Sequence, residues 1–164
     1  MPQAVRYPNA GFLALRLFLA QFWILQMIGK ARDQESGITS LHNLAIWAKN
    51  VTAWMVKTTP LPEWALRPYT TVLPFVELAL GLLFLLGLQT RRALVASAFV
   101  IVSLDVGLML QLKHDVVAAN TVILLAALLG LQWEPWNRWS LDSLLARSAA
   151  RSSAPRSATP AVLG

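Results

Sequence analysis

The chain lacks cysteine entirely, and charged residues make up only 13% of its 164 positions. The absence of cysteine excludes disulfides, thiolate metal sites and thiol redox chemistry. The scarcity of charge is also informative, because a soluble domain usually carries about a quarter charged residues. Hydrophobic residues account for 56% of the chain. We therefore expect this protein to be solvated by a lipid bilayer.

The positive charge of the chain does not indicate nucleic-acid binding. Lysine and arginine number 14 against 8 acidic residues, but they lie between apolar runs and in the C-terminal tail. That placement is typical of residues that orient membrane spans. The sequence has no glycine-rich phosphate loop and no zinc-ligand spacing, and His42 and His114 are not expected on facing spans, as a bis-histidine haem would need. We predict neither a metal site nor a nucleic-acid partner.

Four apolar segments have close to the length that a membrane-spanning helix needs, roughly 20 residues. They lie at about 12–30, 69–88, 93–112 and 116–133. The first is not expected to be a cleaved signal peptide, because Arg16 interrupts its apolar region. The predicted fold is all-α: an integral membrane four-helix bundle that forms one domain over residues 1–147. The low-complexity segment 148–164 is predicted to be a disordered tail.

The long connection between the first two predicted spans contains an amphipathic segment, residues 39–57. Apolar residues recur there at helical spacing, and two tryptophans lie beside the apolar stripe. The stripe consists of Leu41, Leu44, Ala48, Val51 and Met55, and it is flanked by Trp47 and Trp54. We predict an interfacial amphipathic helix that lies on the outer surface as a lid over the bundle. The alternative is an amphipathic helix that simply packs against the spans.

Basic residues also predict how the bundle is oriented. The Arg91–Arg92 turn and the arginines of the tail favour a cytoplasmic location for that side of the membrane. Both termini would then be cytoplasmic, and the amphipathic segment would lie outside. We expect a multi-pass protein of the prokaryotic cytoplasmic (inner) membrane.

Two carboxylates and several other polar residues fall within the predicted spans, where ionisable groups are energetically expensive and commonly functional. Glu77, near the middle of the second span, and Asp105, in the third, are the candidate catalytic residues, because a buried carboxylate can take up and release protons. The alternative is structural: Arg16 or Lys30 neutralises Glu77 and holds the helices in register. The candidate cofactor-binding residues are Arg16, Gln21, Gln26, Lys30 and Asn120, whose amides and cations can bond the oxygens of a ligand.

Short motifs follow one another along these spans: Leu15-Arg16-Leu17 and Gly29-Lys30, then Pro74, Glu77, Gly81, Gly87, Thr90 and Arg91, then Trp139-Ser140-Leu141-Asp142. In order and spacing, over roughly residues 12–147, they resemble the DoxX family of small four-helix membrane proteins. The stretch Glu134-Pro135-Trp136-Asn137 departs from the family pattern, which has a glycine-rich approach to the Ser-Leu-Asp motif.

The resemblance implies a four-helix membrane fold and a link to quinone chemistry, since the family includes the membrane subunit of archaeal thiosulfate:quinone oxidoreductase. We therefore expect a membrane subunit of a quinone-linked oxidoreductase complex, with a quinone and proton site in the bundle. Its partners would be other membrane or redox subunits, one of which carries the redox centre. The alternative is a non-catalytic accessory or structural transmembrane subunit of a larger membrane complex.

Overall fold

Helices make up most of the described chain, which is residues 8–33 and 35–153 of the computed structural model, and no strand element occurs there. The predicted all-α class is therefore confirmed. A short 3-10 helix, Glu134–Trp136, follows the fifth α-helix. The six α-helices are α1 (Pro8–Ala31), α2 (Leu41–Thr58), α3 (Glu63–Leu86), α4 (Thr90–Leu110), α5 (His114–Trp133) and α6 (Leu141–Ser153).

Four helices are long and apolar enough to cross a membrane, by length and composition, as the sequence predicts: α1, α3, α4 and α5. The one clear difference lies in α3, which begins at Glu63 rather than near 69 and continues through Pro68 and Pro74. A proline removes one backbone donor and usually ends or kinks a helix. The helix thus extends six residues before the predicted span and contains both prolines. Four such helices are characteristic of a multi-pass membrane protein.

The bundle is held together most closely where α1 passes α3. A Cβ atom on Gly81 would lie 2.6 Å from Cγ1 of Ile24 and 3.3 Å from the carbonyl oxygen of Ala20. Only a residue without a side chain allows the two backbones to approach so closely. Further along, Gly87 ends α3 in the left-handed conformation (φ 65°) and lies against Arg16. Residue numbers fall along α1 as they rise along α3, so the two helices are antiparallel.

The core lies where α1 meets α3, α4 and α5. Trp23 is fully buried, and its indole nitrogen donates a hydrogen bond of 3.0 Å to the Ser97 hydroxyl on α4. Tryptophan is tolerated in a closed core when its N–H finds such a partner. Trp23 belongs to one cluster with other apolar side chains that are almost entirely buried: Phe12, Leu19, Phe84, Leu94 and Ile101.

The helix α2 covers one end of the bundle, called here the α2 end. Its N-terminus is capped by Ser40, whose hydroxyl accepts a hydrogen bond from the Asn43 backbone. The buried residues of α2 are Leu44, Ala48, Thr52 and Met55. Leu41, predicted on the apolar stripe, is instead 69% exposed. Thr52 is buried because its hydroxyl is satisfied by Thr70 of α3 at 2.7 Å and by the Ala48 carbonyl.

The helix α6 begins at the opposite end of the bundle, where Asp142 bonds to the backbone of Gln89 and Thr90. Ser140 caps this helix by accepting a hydrogen bond from the Ser143 backbone at 3.2 Å. The helix continues to Ser153, beyond the start of the segment 148–164 that the sequence predicts to be disordered. The remainder of that predicted tail, 154–164, lies outside the described residues.

Candidate functional site

Glu77 forms an ion pair with Lys30 inside the bundle. The side chain of Glu77 is only 1% exposed and that of Lys30 is 13% exposed. Because Gly81 contacts Ala20 and Ile24, Glu77 lies level with about residue 26, one turn inward of Lys30. Helical side chains lean toward the N-terminus of their helix, so Lys30 reaches inward rather than toward the membrane surface.

A tryptophan of α2 completes this ion pair. The Lys30 ammonium lies over the Trp47 ring, 5.1 Å from its centroid. Trp54 lies two turns further along α2, and the Lys113 ammonium lies over its ring in the same way, 4.7 Å from the centroid. Such cation–π contacts are attractive, and their strength increases when the cation is shielded from water. The two tryptophans therefore attach α2 to the end of α1 and to the connection between α4 and α5.

The ion pair lies in the wall of a cavity of about 390 Å³ beneath α2. Aromatic side chains from three helices line it: Phe22 and Trp23 of α1, Trp47 and Trp54 of α2, and Tyr69 of α3. Its polar lining comes from Gln26, Lys30, Thr70, Glu77, Ser103, Gln111 and Asn120. The volume falls within the range of about 300–1,000 Å³ that small-molecule sites occupy. The cavity is thus large enough for a planar ring with polar substituents.

Two oxygen atoms in the cavity wall lack hydrogen-bond donors. Glu77 Oε2 and Gln111 Oε1 are buried without a partner among the described residues. A buried polar atom without a partner costs about 1–3 kcal/mol, so a folded protein retains one where a ligand or water can satisfy it. Both atoms are hydrogen-bond acceptors, so the cavity suits a molecule that carries hydroxyl or N–H groups.

The side chain of Tyr69 contributes its hydroxyl group to the cavity wall. Its oxygen lies 3.0 Å from the Ser103 hydroxyl of α4, and both residues line the cavity. Neither Tyr69 nor Gln111 was predicted as a site residue. A signal for Tyr69 existed, because a residue eight positions before Glu77 lies on the same side of a helix. Gln111 at the end of a span has no comparable signal.

The second predicted carboxylate lies apart from the first. Asp105 is half-buried and accepts a 2.7 Å hydrogen bond from the Asn120 side-chain amide, which joins α4 to α5. Ser103 of α4 contacts Tyr69, which precedes Glu77 on α3 by about 12 Å of helix rise. Ser103 is therefore about that far from Glu77 along the bundle, and Asp105 lies still closer to the α2 end. Asn120 lines the cavity and Asp105 does not. The geometry therefore gives Glu77 and Asp105 separate surroundings.

The remaining predicted residues divide between the cavity and the outside of the bundle. Gln26 lies at the edge of the cavity, on the level of Glu77. Gln21 is exposed on the outer face of α1 beside Phe18 and Leu25, and it does not line the cavity. Gln21 lies within two helical turns of the depth of Glu77, but it is on a side of α1 that does not face the cavity.

Arg16 belongs to a different polar network, at the end of the bundle opposite α2. Its guanidinium donates a 2.9 Å hydrogen bond to Asn137 Oδ1, and the amide of Asn137 donates one of 2.8 Å to the Thr90 hydroxyl. Asp142 accepts hydrogen bonds from the backbone of Gln89 and Thr90 at the start of α4. Of the two basic residues predicted to neutralise Glu77, Lys30 does so, whereas Arg16 pairs with Asn137.

This network explains several positions of the sequence motifs. Gly87 and Thr90 are far along the chain from Ser140 and Asp142, but the two pairs meet beside Arg16. A Cβ atom on Gly87 would clash with the Arg16 guanidinium and lie 2.7 Å from Cβ of Ser140. Asn137, in the stretch that departs from the glycine-rich pattern, supplies the bridging amide.

Fold and site together define an all-helical protein with four potential membrane spans and a polar, aromatic-walled cavity beneath a covering helix. No family model, curated protein or solved structure matches the chain.

Proposed function

We propose that this chain is a DoxX-like membrane subunit of a quinone-linked oxidoreductase complex and that the cavity beneath α2 receives the quinone head group. The observation that carries the proposal is the state of Glu77. One carboxylate oxygen is paired with Lys30, and the other is buried in a cavity with aromatic walls, with no partner in the part of the chain that the structure describes.

The lining residues match both forms of such a substrate. The oxygens of a quinone are acceptors, and the Lys30 ammonium and the amides of Gln26 and Asn120 are donors at the cavity wall. The hydroxyls of a quinol are donors, and Glu77 Oε2 and Gln111 Oε1 are the acceptors that need them. Flat aromatic side chains suit a planar ring.

In this proposal Glu77 handles the protons. Reduction of a quinone takes two electrons, which a partner subunit supplies, and two protons: Glu77 gives one from Oε2, and water at the membrane surface gives the other. Lys30 stays hydrogen-bonded to the other oxygen and stabilises the carboxylate once the proton has left. Asp105, bonded to Asn120, is not required for that transfer.

The membrane placement is also proposed. With both termini cytoplasmic, α2 lies as an interfacial helix on the outer side of the prokaryotic inner membrane. Its tryptophans, Trp47 and Trp54, are amphipathic side chains of the kind that collect at the headgroup level. The cavity then opens near the outer surface, where protons and a partner subunit have access.

The test compares two variants of the complex isolated in mild detergent. Glu77→Gln removes the proton-carrying group, while Asp115→Asn changes an exposed carboxylate of α5 that does not line the cavity. We expect quinone reduction by the assembled complex to fall at least ten-fold in the first variant and to stay unchanged in the second. Full quinone reduction by a folded, assembled Glu77→Gln complex would contradict the proposal.

A non-catalytic accessory subunit is the second candidate, and one observation favours it. Lys30 connects Glu77 of α3 to Trp47 of α2, so the same three residues hold three helices in register. In that case the double variant Lys30→Gln/Glu77→Gln would assemble with its partners, and the complex would retain its activity. Loss of activity in an assembled double variant would favour the quinone site instead.

A further inference from the structure

A second concave surface lies on the other side of α2, away from the quinone cavity. It is a groove of about 760 Å³ between α2 and α3, called here the α2–α3 groove. On α3 it is lined by Glu63, Arg67, Thr71 and Phe75, which recur at every fourth position and so form one stripe along the helix. The groove therefore runs parallel to α3 from the start of that helix toward the middle of the span.

The rim of the groove is positively charged. Lys49 and Lys57 of α2 and Arg67 of α3 line it and are exposed, and Glu63 is the carboxylate beside them. In the part of the chain that the structure describes, none of these three cations forms an ion pair. Three cations against one carboxylate leave an excess of two positive charges at one place on the surface.

Apart from two threonines, Thr52 and Thr71, the rest of the groove is apolar. Leu44, Ala48 and Val56 line it from α2, and Phe75, which is 50% exposed, lines its far end. Phe75 lies eight residues beyond Arg67, about 12 Å along the helix. Because Glu63 begins α3, Arg67 lies near the end of a span and Phe75 lies within the hydrocarbon layer. The hydroxyl of Thr71, between them, is already bonded to the Arg67 carbonyl.

We propose that the α2–α3 groove binds one anionic phospholipid of the surrounding bilayer. The headgroup phosphate lies among Lys49, Lys57 and Arg67, and an acyl chain follows the α3 stripe toward Phe75. Charge complementarity selects this occupant: an anionic lipid neutralises one of the two excess positive charges, a zwitterionic lipid neutralises neither, and a second copy of this chain, with net charge +6, adds to them. The proposal is independent of the quinone cavity, which shares none of these residues.

Native mass spectrometry of the full chain in mild detergent tests the proposal, with phosphatidylglycerol and phosphatidylcholine of identical acyl chains as probes. We expect one phosphatidylglycerol to bind in preference to phosphatidylcholine. Each Lys or Arg near an anionic lipid surface contributes about five-fold in affinity, so Lys49→Gln/Arg67→Gln should weaken binding about 25-fold. The control Arg32→Gln, which removes an exposed cation outside the groove, should leave it unchanged.

A further variant separates the groove from general charge attraction. Ala53 is exposed in the groove, so Ala53→Phe fills the groove without changing charge and leaves the core intact. We expect phosphatidylglycerol binding to fall in this variant as well. Equal affinity for the two lipids, equal loss in Arg32→Gln, or unchanged binding in Ala53→Phe would each overturn the proposal. A wild-type dimer, or a co-purified span of another protein, that excludes the lipid would also overturn it.

Discussion

Lys30 extends one helical turn inward along α1 to pair with Glu77 of α3, away from the nearby end of its own helix. A lysine near the end of a span usually extends toward the headgroups. Here the Glu77 carboxylate and the face of Trp47 draw it in the other direction. The pair accounts for an acidic residue within an otherwise apolar helix, because the carboxylate has a counter-charge at its own depth.

Replacing Glu77 and replacing Lys30 should lower the stability of the protein by different amounts. In Glu77→Gln, the unpaired Lys30 can turn outward to the headgroups, so we expect a loss of stability at the lower end of the roughly 3–5 kcal/mol range for broken buried pairs. In Lys30→Gln, Glu77 stays at mid-span without a counter-charge, and the loss should reach the upper end of that range. Unfolding monitored by circular dichroism in detergent measures both changes.

The double variant Lys30→Gln/Glu77→Gln is the control for that comparison. Two neutral amides can bond to each other at the same place, so we expect most of the lost stability to return. If Glu77→Gln proved more costly than Lys30→Gln, the explanation by outward movement of Lys30 would be wrong.

Gly81 should be intolerant of even one added carbon. A Cβ atom there would lie 2.6 Å from Ile24 Cγ1 and 3.1 Å from the Ile24 backbone nitrogen, so either α1 or α3 has to shift. We expect Gly81→Ala to lose about 1–3 kcal/mol through overpacking. Thermal unfolding in detergent is the measurement.

Gly29→Ala is the matched control, because it lies in α1 and its added carbon meets nothing within 4 Å. Alanine favours a helix by up to about 1 kcal/mol over glycine, so this variant should be as stable as the wild type or more stable. A Gly81→Ala protein with the same midpoint as Gly29→Ala would show that α1 and α3 are not closely packed.

Asp142 should stabilise the start of α4 although it belongs to α6. Its carboxylate accepts hydrogen bonds from the backbone N–H groups of Gln89 (2.8 Å) and Thr90 (3.0 Å), which is the role of an N-terminal helix cap. We expect Asp142→Ala to lose about 0.5–2 kcal/mol and to speed amide hydrogen exchange in the first turn of α4. Asp115→Ala, in the first turn of α5, is the control and should leave exchange at α4 unchanged.

The sequence predicted the helices well and the polar contacts only in part. Span lengths depend on runs of apolar residues, which can be read locally, and Glu77 stands out because it interrupts one. The choice between Arg16 and Lys30 could not be read locally. It depends on the register between α1 and α3, which the contact at Gly81 sets, and on Asn137, which comes from the other end of the chain and bonds to Arg16. Asp105 was predicted as a site residue because it is a carboxylate within a predicted span, and in the structure its partner is the Asn120 amide.

The placement of α2 predicts both the membrane topology of the chain and slow amide hydrogen exchange in α2. If both termini are cytoplasmic and α2 is an interfacial lid, reporter fusions after Lys57 and after Gln111 should report the outside, and a fusion at Arg91 the inside. In the reconstituted protein, amide exchange should be slow in α2, because Trp47 and Trp54 attach it to Lys30 and Lys113 and Thr52 bonds to Thr70. Trp47→Ala/Trp54→Ala should raise the exchange rate across α2 and leave exchange in α5 unchanged. Reversed fusions would put the cavity on the cytoplasmic side, and fast exchange in the wild-type α2 would exclude a lid.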